Sequence, residues 1–201
     1  MSLPNEGQHF AVAIGLIDSW PMENSDKTET SIAGLLMWAE TYFSAAELLH
    51  SECKEERNSA FYAGPVMQNV GLSTELTMKA LLRGTGISRK ELRAFSHNTY
   101  EAYCVAKDFF DEQKFINLFL ANTEHMLAPE EIRNRLMADG ESDVDVRWRI
   151  YFDHLRILDT VYDRPYRGRY VTPGKIILPE TELILIGTKI LLSAMRERLP
   201  S

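Results

Sequence analysis

Six arginines fall between Arg147 and Tyr170, namely Arg147, Arg149, Arg156, Arg164, Arg167 and Arg169, against three acids, Asp153, Asp159 and Asp163. In a chain of formal net charge −7, that local excess of three positive charges reads as the only basic zone. Tyr151, Tyr162, Tyr166 and Tyr170 are interleaved with it. Guanidinium forks match phosphate oxygens, and tyrosine rings offer bases a surface to stack on, the combination that single-stranded nucleic acid sites use. The densest part is Arg164, Arg167 and Arg169, beside Pro165 and Gly168, which reads as an anion-binding loop. The same residues have a plainer use. Arginine stems and tyrosine rings cover apolar surface while their polar tips stay wet, so Arg167, Arg169 and Tyr170 can simply dock the loop onto the domain. Arg149 with Asp153, and Asp153 with Arg156, also stand at the ion-pair spacing of a helix surface.

Metal and cofactor chemistry finds little footing. Glu47-Leu-Leu-His50 has the Glu-x-x-His spacing of di-iron bundles, but the only second copy is Glu6-Gly-Gln-His9 near the N-terminus, outside any helical pattern. His50 and Cys53 supply two of the four ligands a structural zinc needs. There is no glycine-rich phosphate loop and no Gly-x-Ser-x-Gly elbow. The expectation is no metal and no cofactor.

The elements that must carry these residues are helical. From Ile32 the apolar positions Leu35, Leu36, Ala39, Tyr42, Phe43, Ala46, Leu49 and Cys53 share one helix face. A second helix is predicted from about Tyr62 to a stop at Gly84, with Pro65 in its first turn. Ser88 with Glu91 and Asn98 with Glu101 have helix-start spacing, predicting a short helix before Phe95 and a longer one from Thr99 to about Phe110. A turn or two follows at Phe115 to Leu120, then a helix opened by Pro129 and closed by Gly140. Ser142 and Asp145 open one long helix to about Asp163, and a last helix spans about Pro179 to Arg198. No period-two alternation or repeat occurs. The expected fold is an all-α, up-and-down bundle over residues 31–201, with extra short helices and an N-terminal arm over residues 1–30.

Three places resemble the HEPN family of nucleotide-binding helical domains. Glu75-Leu-Thr-Met-Lys79-Ala-Leu-Leu82 is similar to that family's Glu-x-x-x-Lys-x-Leu-Leu helix. Ser96-His97-Asn98-Thr99 is similar to the Thr-His-Asp-Leu step opening its third helix, with Thr99 a departure. Tyr166-Arg167-Gly168-Arg169-Tyr170 is similar to the Arg-Tyr ending after its fourth helix, with Val171 where proline is common. The resemblance implies a bundle that binds a nucleotide, an RNA or a partner protein, His97 and the arginine loop with Tyr170 being the residues to contact a ligand; a purely structural interaction domain, its likeness to the family coincidental, is the alternative from another class. Glu75 and Lys79 also read as an ordinary i,i+4 pair, and His97 as a structural hydrogen-bonding partner.

A branch of that family carries Arg-x4–6-His as a metal-free ribonuclease site, and Arg147 or Arg149 with His154 meets the spacing. There the histidine would take the ribose 2′-OH proton and the arginine would steady charge on the phosphorane. On a continuous helix five residues turn roughly 500°, leaving Arg149 about 140° from His154, whereas Arg147 returns nearly to its face. Ile150, Ile157 and Val161 share that face, so His154 also reads as a packed histidine; and Trp148 and Ile150 stand where the nuclease branch has polar residues.

A homodimer is expected, from the resemblance and from Gly187 and Ala194 on one face of the last helix. Cys53 and Cys104 form no Cys-x-x-Cys pair, which suits a reducing compartment. The run Phe10–Ile17 lacks a basic lead and no apolar stretch is long enough for a membrane span, so a cytoplasmic protein away from membranes is expected.

Overall fold

The computed structural model describes residues 31–53, 59–162 and 177–197. Among them lie nine α-helices, one 3-10 turn and no strand, so the fold is all-α. The helices are α1 (Ile32–Cys53), α2 (Ser59–Gly84), α3 (Arg89–Ala94), α4 (Thr99–Ala106), α5 (Glu112–Asn122), α6 (Glu130–Ala138), α7 (Val144–Trp148), α8 (Tyr151–Tyr162) and α9 (Thr181–Arg196), with the 3-10 turn Lys107–Phe109 after α4. The N-terminal arm expected over residues 1–30, and the loop carrying Arg164, Arg167, Arg169 and Tyr170, lie outside the described residues.

Local signals set most helix starts. Ser88 Oγ accepts from the Glu91 N–H while the Glu91 carboxylate accepts from the Ser88 N–H, a reciprocal capping box for α3. Asn98 Oδ1 accepts from Glu101 N at 2.8 Å and opens α4, and Asp111 Oδ1 does the same for α5. Gly140, at φ +88°, supplies the left-handed turn after α6. Two expectations need correction. Pro65 is the seventh residue of α2, not in its first turn, so that helix tolerates one missing donor in its interior. The long helix expected from Ser142 is two: α7 starts at an Asp143 cap and ends at Trp148, and α8 begins at Tyr151.

Helix α2 is the hub, packed along α1 and against α4, α8 and α9. Tyr151, Tyr162, Phe115, Phe119, Leu155 and Leu158 are among the fully buried side chains of the core, and each such side chain contributes roughly 1.5–3 kcal/mol by leaving water. Close approach is bought with glycine at two positions. A Cβ on Gly71 would lie 2.5 Å from Tyr162 Cδ2, and one on Gly187 would lie 2.2 Å from Tyr151 Cε2. The small face of α9, Gly187 and Ala194, is therefore consumed inside the chain, both residues being buried. It offers no surface to a second copy, which removes that motive for a dimer. Where Tyr151 enters the core its hydroxyl meets Thr188 Oγ1, which in turn bonds Thr74 Oγ1 at 2.8 Å, so these buried polar groups are satisfied.

Candidate functional site

The best-built polar site joins two of the three stretches that carry the family resemblance. The Glu75 side chain, on the inner face of α2, is buried. Its Oε1 accepts from Lys79 Nζ at 2.6 Å, one turn along the same helix. Its Oε2 accepts from the Tyr162 hydroxyl at 2.6 Å and lies 2.9 Å from His97 Nδ1. A carboxylate only accepts, so His97 carries its proton on Nδ1 in this arrangement. The His97 ring also stands edge-on to Tyr162, with centroids 5.7 Å apart. Burial strengthens each of these bonds, because little water competes for the donors.

The same node fixes the turn from α3 to α4. Lys79 Nζ donates to the Ser96 carbonyl at 2.7 Å, and Ser96 takes a left-handed φ of +51°. Asp159 of α8 accepts from Thr99 N at 2.9 Å, from the Thr99 hydroxyl, and from Tyr100 N at 2.7 Å. An acid at a helix N-terminus is favoured by unpaired N–H groups and the helix dipole. Thr99, where the resemblance departs from leucine, is thus a buried contact with Asp159. His97 is held in place yet remains a third exposed, with a side-chain accessibility of 32%.

Arg147, Arg149 and His154 are placed at the break between α7 and α8, and the three are not presented together. The break leaves the Trp148 carbonyl without its helical donor, and His154 Nε2 fills that role at 2.7 Å. His154 Nδ1 accepts from Glu180 N at 3.1 Å, so both ring nitrogens are engaged and tie α7 to the start of α9. Burial pushes the His154 pKa down, against the upward pull of the Trp148 hydrogen bond and the nearby acids. Arg149 is buried, its Nη1 donating to the Thr123, Glu124 and Met126 carbonyls beyond the end of α5. Arg147 pairs with Asp153 and Glu141 at the surface. The break also dissolves the single-helix geometry that favoured Arg147 as partner of His154.

Residues outside the arginine zone form a groove of about 440 Å³ between α1, α2 and α3. Leu35, Trp38, Leu76 and Leu92 line it together with Lys79, Arg89 and Arg93. Charge counting between residues 79 and 93 could have found it: Lys79, Arg83, Arg89, Lys90 and Arg93 face a single acid, Glu91. The zone from Arg147 to Tyr170 is thus not the only basic one. Trp38 and the leucines carried no signal, since their convergence depends on three helices. A separate pocket between α1 and α9 has Glu182 in its lining with Glu47 and His50, the Glu-x-x-His pair. No group of three acids, histidines or cysteines able to hold a metal occurs among the described residues.

These features define an all-α domain built on a buried carboxylate node, and none of its described helices is long and apolar enough to cross a membrane. Comparison with family models, with curated proteins and with solved structures finds no match to this chain.

Proposed function

We propose that the chain is a non-catalytic helical module of the HEPN kind, acting as a homodimer in the cytoplasm and binding a nucleotide, an RNA or a partner protein. The observation that carries this reading is the state of His154. A general base must offer a free ring nitrogen to the 2′-OH, and here one nitrogen holds the Trp148 carbonyl while the other holds the Glu180 N–H. The Glu75–Lys79–His97 node supports the family resemblance, because it gives those residues a shared task in positioning the α3–α4 turn. The dimer rests on the resemblance alone, now that Gly187 and Ala194 are occupied within the chain.

The test sets cleavage against binding. Wild-type protein without added metal is incubated with varied single-stranded RNAs, and fluorescent nucleotides and RNA oligomers are titrated in parallel. The module reading expects binding without cleavage, unchanged by His154→Ala. Metal-independent cleavage abolished by that substitution would establish instead the ribonuclease that uses His154 with Arg147 or Arg149. Replacing Arg164, Arg167 and Arg169 together by glutamine should weaken RNA or nucleotide binding if the loop supplies the anion contacts with His97 and Tyr170.

A further inference from the structure

We infer that the groove between α1, α2 and α3 is the docking site for an acidic, amphipathic helical segment of a partner protein. The inference rests on the reading of the chain as a binding module and names a partner and a face for it. Its first support is the division of chemistry in the lining. Leu35 and Trp38 stand one turn apart on α1, Leu76 faces them from α2, and Leu92 comes from α3. Apart from the Trp38 indole N–H, the polar side-chain groups of the lining are the cations Lys79, Arg89 and Arg93. A nucleobase needs acceptors as well as donors for its edge, and the lining side chains, whose polar atoms are all N–H donors, supply no acceptor. An amphipathic helix needs what is there: an apolar floor for anchors spaced at i, i+4 and i+7, and a charged rim for its polar flank.

The second support is charge. Lys79 is engaged by Glu75 and by the Ser96 carbonyl. Arg89 and Arg93 sit one turn apart on α3, both exposed, and neither has a carboxylate partner among the described residues. Two like charges at that spacing repel on an isolated helix, and an incoming carboxylate converts the repulsion into attraction. The chain as a whole carries −7, so an acidic partner is repelled by most of the surface and drawn to its basic patches, and this one borders an apolar groove. Trp38 is 45% exposed and the adjacent Met37 57%. Tryptophan and arginine are the residue types that most often carry interface energy, and methionine adapts to irregular partner surfaces.

The experiment is a selection of displayed random peptides of about 16 residues, a little over four helical turns, against the immobilised full-length chain, followed by titration of the enriched peptides in solution. Enriched sequences are expected to carry apolar residues at i, i+4 and i+7 flanked by aspartate and glutamate. Their affinity should fall at least about tenfold in Arg89→Glu/Arg93→Glu and in Trp38→Ala, and should weaken with added salt. Lys90→Glu, an exposed neighbour absent from the groove lining, should change it by less than about twofold. Helical circular dichroism confirms that each variant is folded. The assignment is overturned if no peptide is enriched, if enriched peptides lack acids, or if they bind the variants as well as wild type. It is equally overturned if ATP or oligouridylate alone binds in an Arg89- and Arg93-dependent way, or if light scattering shows the variants converting a dimer to a monomer, which makes a second copy the occupant. RNA or nucleotide binding by wild type when no peptide is enriched would sink this groove and leave the module reading standing; binding of neither would sink both.

Discussion

Replacing Glu75 by glutamine tests the central node most directly. The change keeps the shape of the side chain but removes its charge and turns one acceptor into a donor. Three donors converge on that carboxylate, from Lys79, His97 and Tyr162. The Glu75 and Lys79 side chains are only 7% and 14% exposed, so solvent screens the pair weakly. A hydrogen bond to a charged group contributes roughly 1.5–3 kcal/mol net, and removing one partner of a buried ion pair costs about 3–5 kcal/mol. The amide oxygen can still satisfy one donor, which places Glu75→Gln at about 2–4 kcal/mol of destabilisation. For a domain of this size each kcal/mol lowers the melting midpoint by roughly 2–4 °C. Urea unfolding followed by circular dichroism measures the change, and Tyr162→Phe completes a double-mutant cycle. The two substitutions should couple by about 0.5–3 kcal/mol because the residues share one hydrogen bond. A loss below about 0.5 kcal/mol for Glu75→Gln, or strict additivity with Tyr162→Phe, would refute the node as a cooperative unit.

Gly187→Ala should destabilise the chain by at least about 1–2 kcal/mol, because overpacking against the buried Tyr151 ring outweighs the roughly 1 kcal/mol that alanine gains in a helix; calorimetry decides the sign. Arg149→Met should cost about 2–4 kcal/mol by leaving the carbonyls of Thr123, Glu124 and Met126 without their donor, whereas Arg147→Ala at the surface should stay within about 1 kcal/mol. The depressed pKa of His154 makes the unfolded chain take up a proton first as pH falls. Its contribution to stability is therefore complete above the ordinary histidine value of about 6.5 and is lost as pH drops through that value toward the folded one. Denaturation curves between neutrality and pH 5 should show a shallower decline in His154→Gln than in wild type. Light scattering at micromolar concentration should return twice the monomer mass, and a monomer mass would remove the homodimer from the proposed function.

What the sequence by itself determined is what neighbours within a turn of helix can decide. The apolar stripe of α1, the capping box at Ser88 and Glu91, the cap at Asn98 and the all-α class were all legible, because they depend on contacts three or four residues apart. Tertiary structure decided the rest. The periodicity of residues 142–163 describes a single helix, whereas the structure breaks it after Trp148, and His154 holds both the orphaned Trp148 carbonyl and the Glu180 N–H, 26 residues away. Arg149 follows the same logic, reaching back 26 residues to the Thr123 carbonyl. Gly187 and Ala194 read as a surface for a second helix, but Gly187 receives Tyr151 of the chain's own α8 and Ala194 is buried within the chain. Glu75, Lys79 and His97 were legible as separate residues, while their meeting with Tyr162 spans 87 positions. Local propensity has no term for such distances; long-range packing sets them, through which side chains meet when α1, α4, α8 and α9 pack on α2.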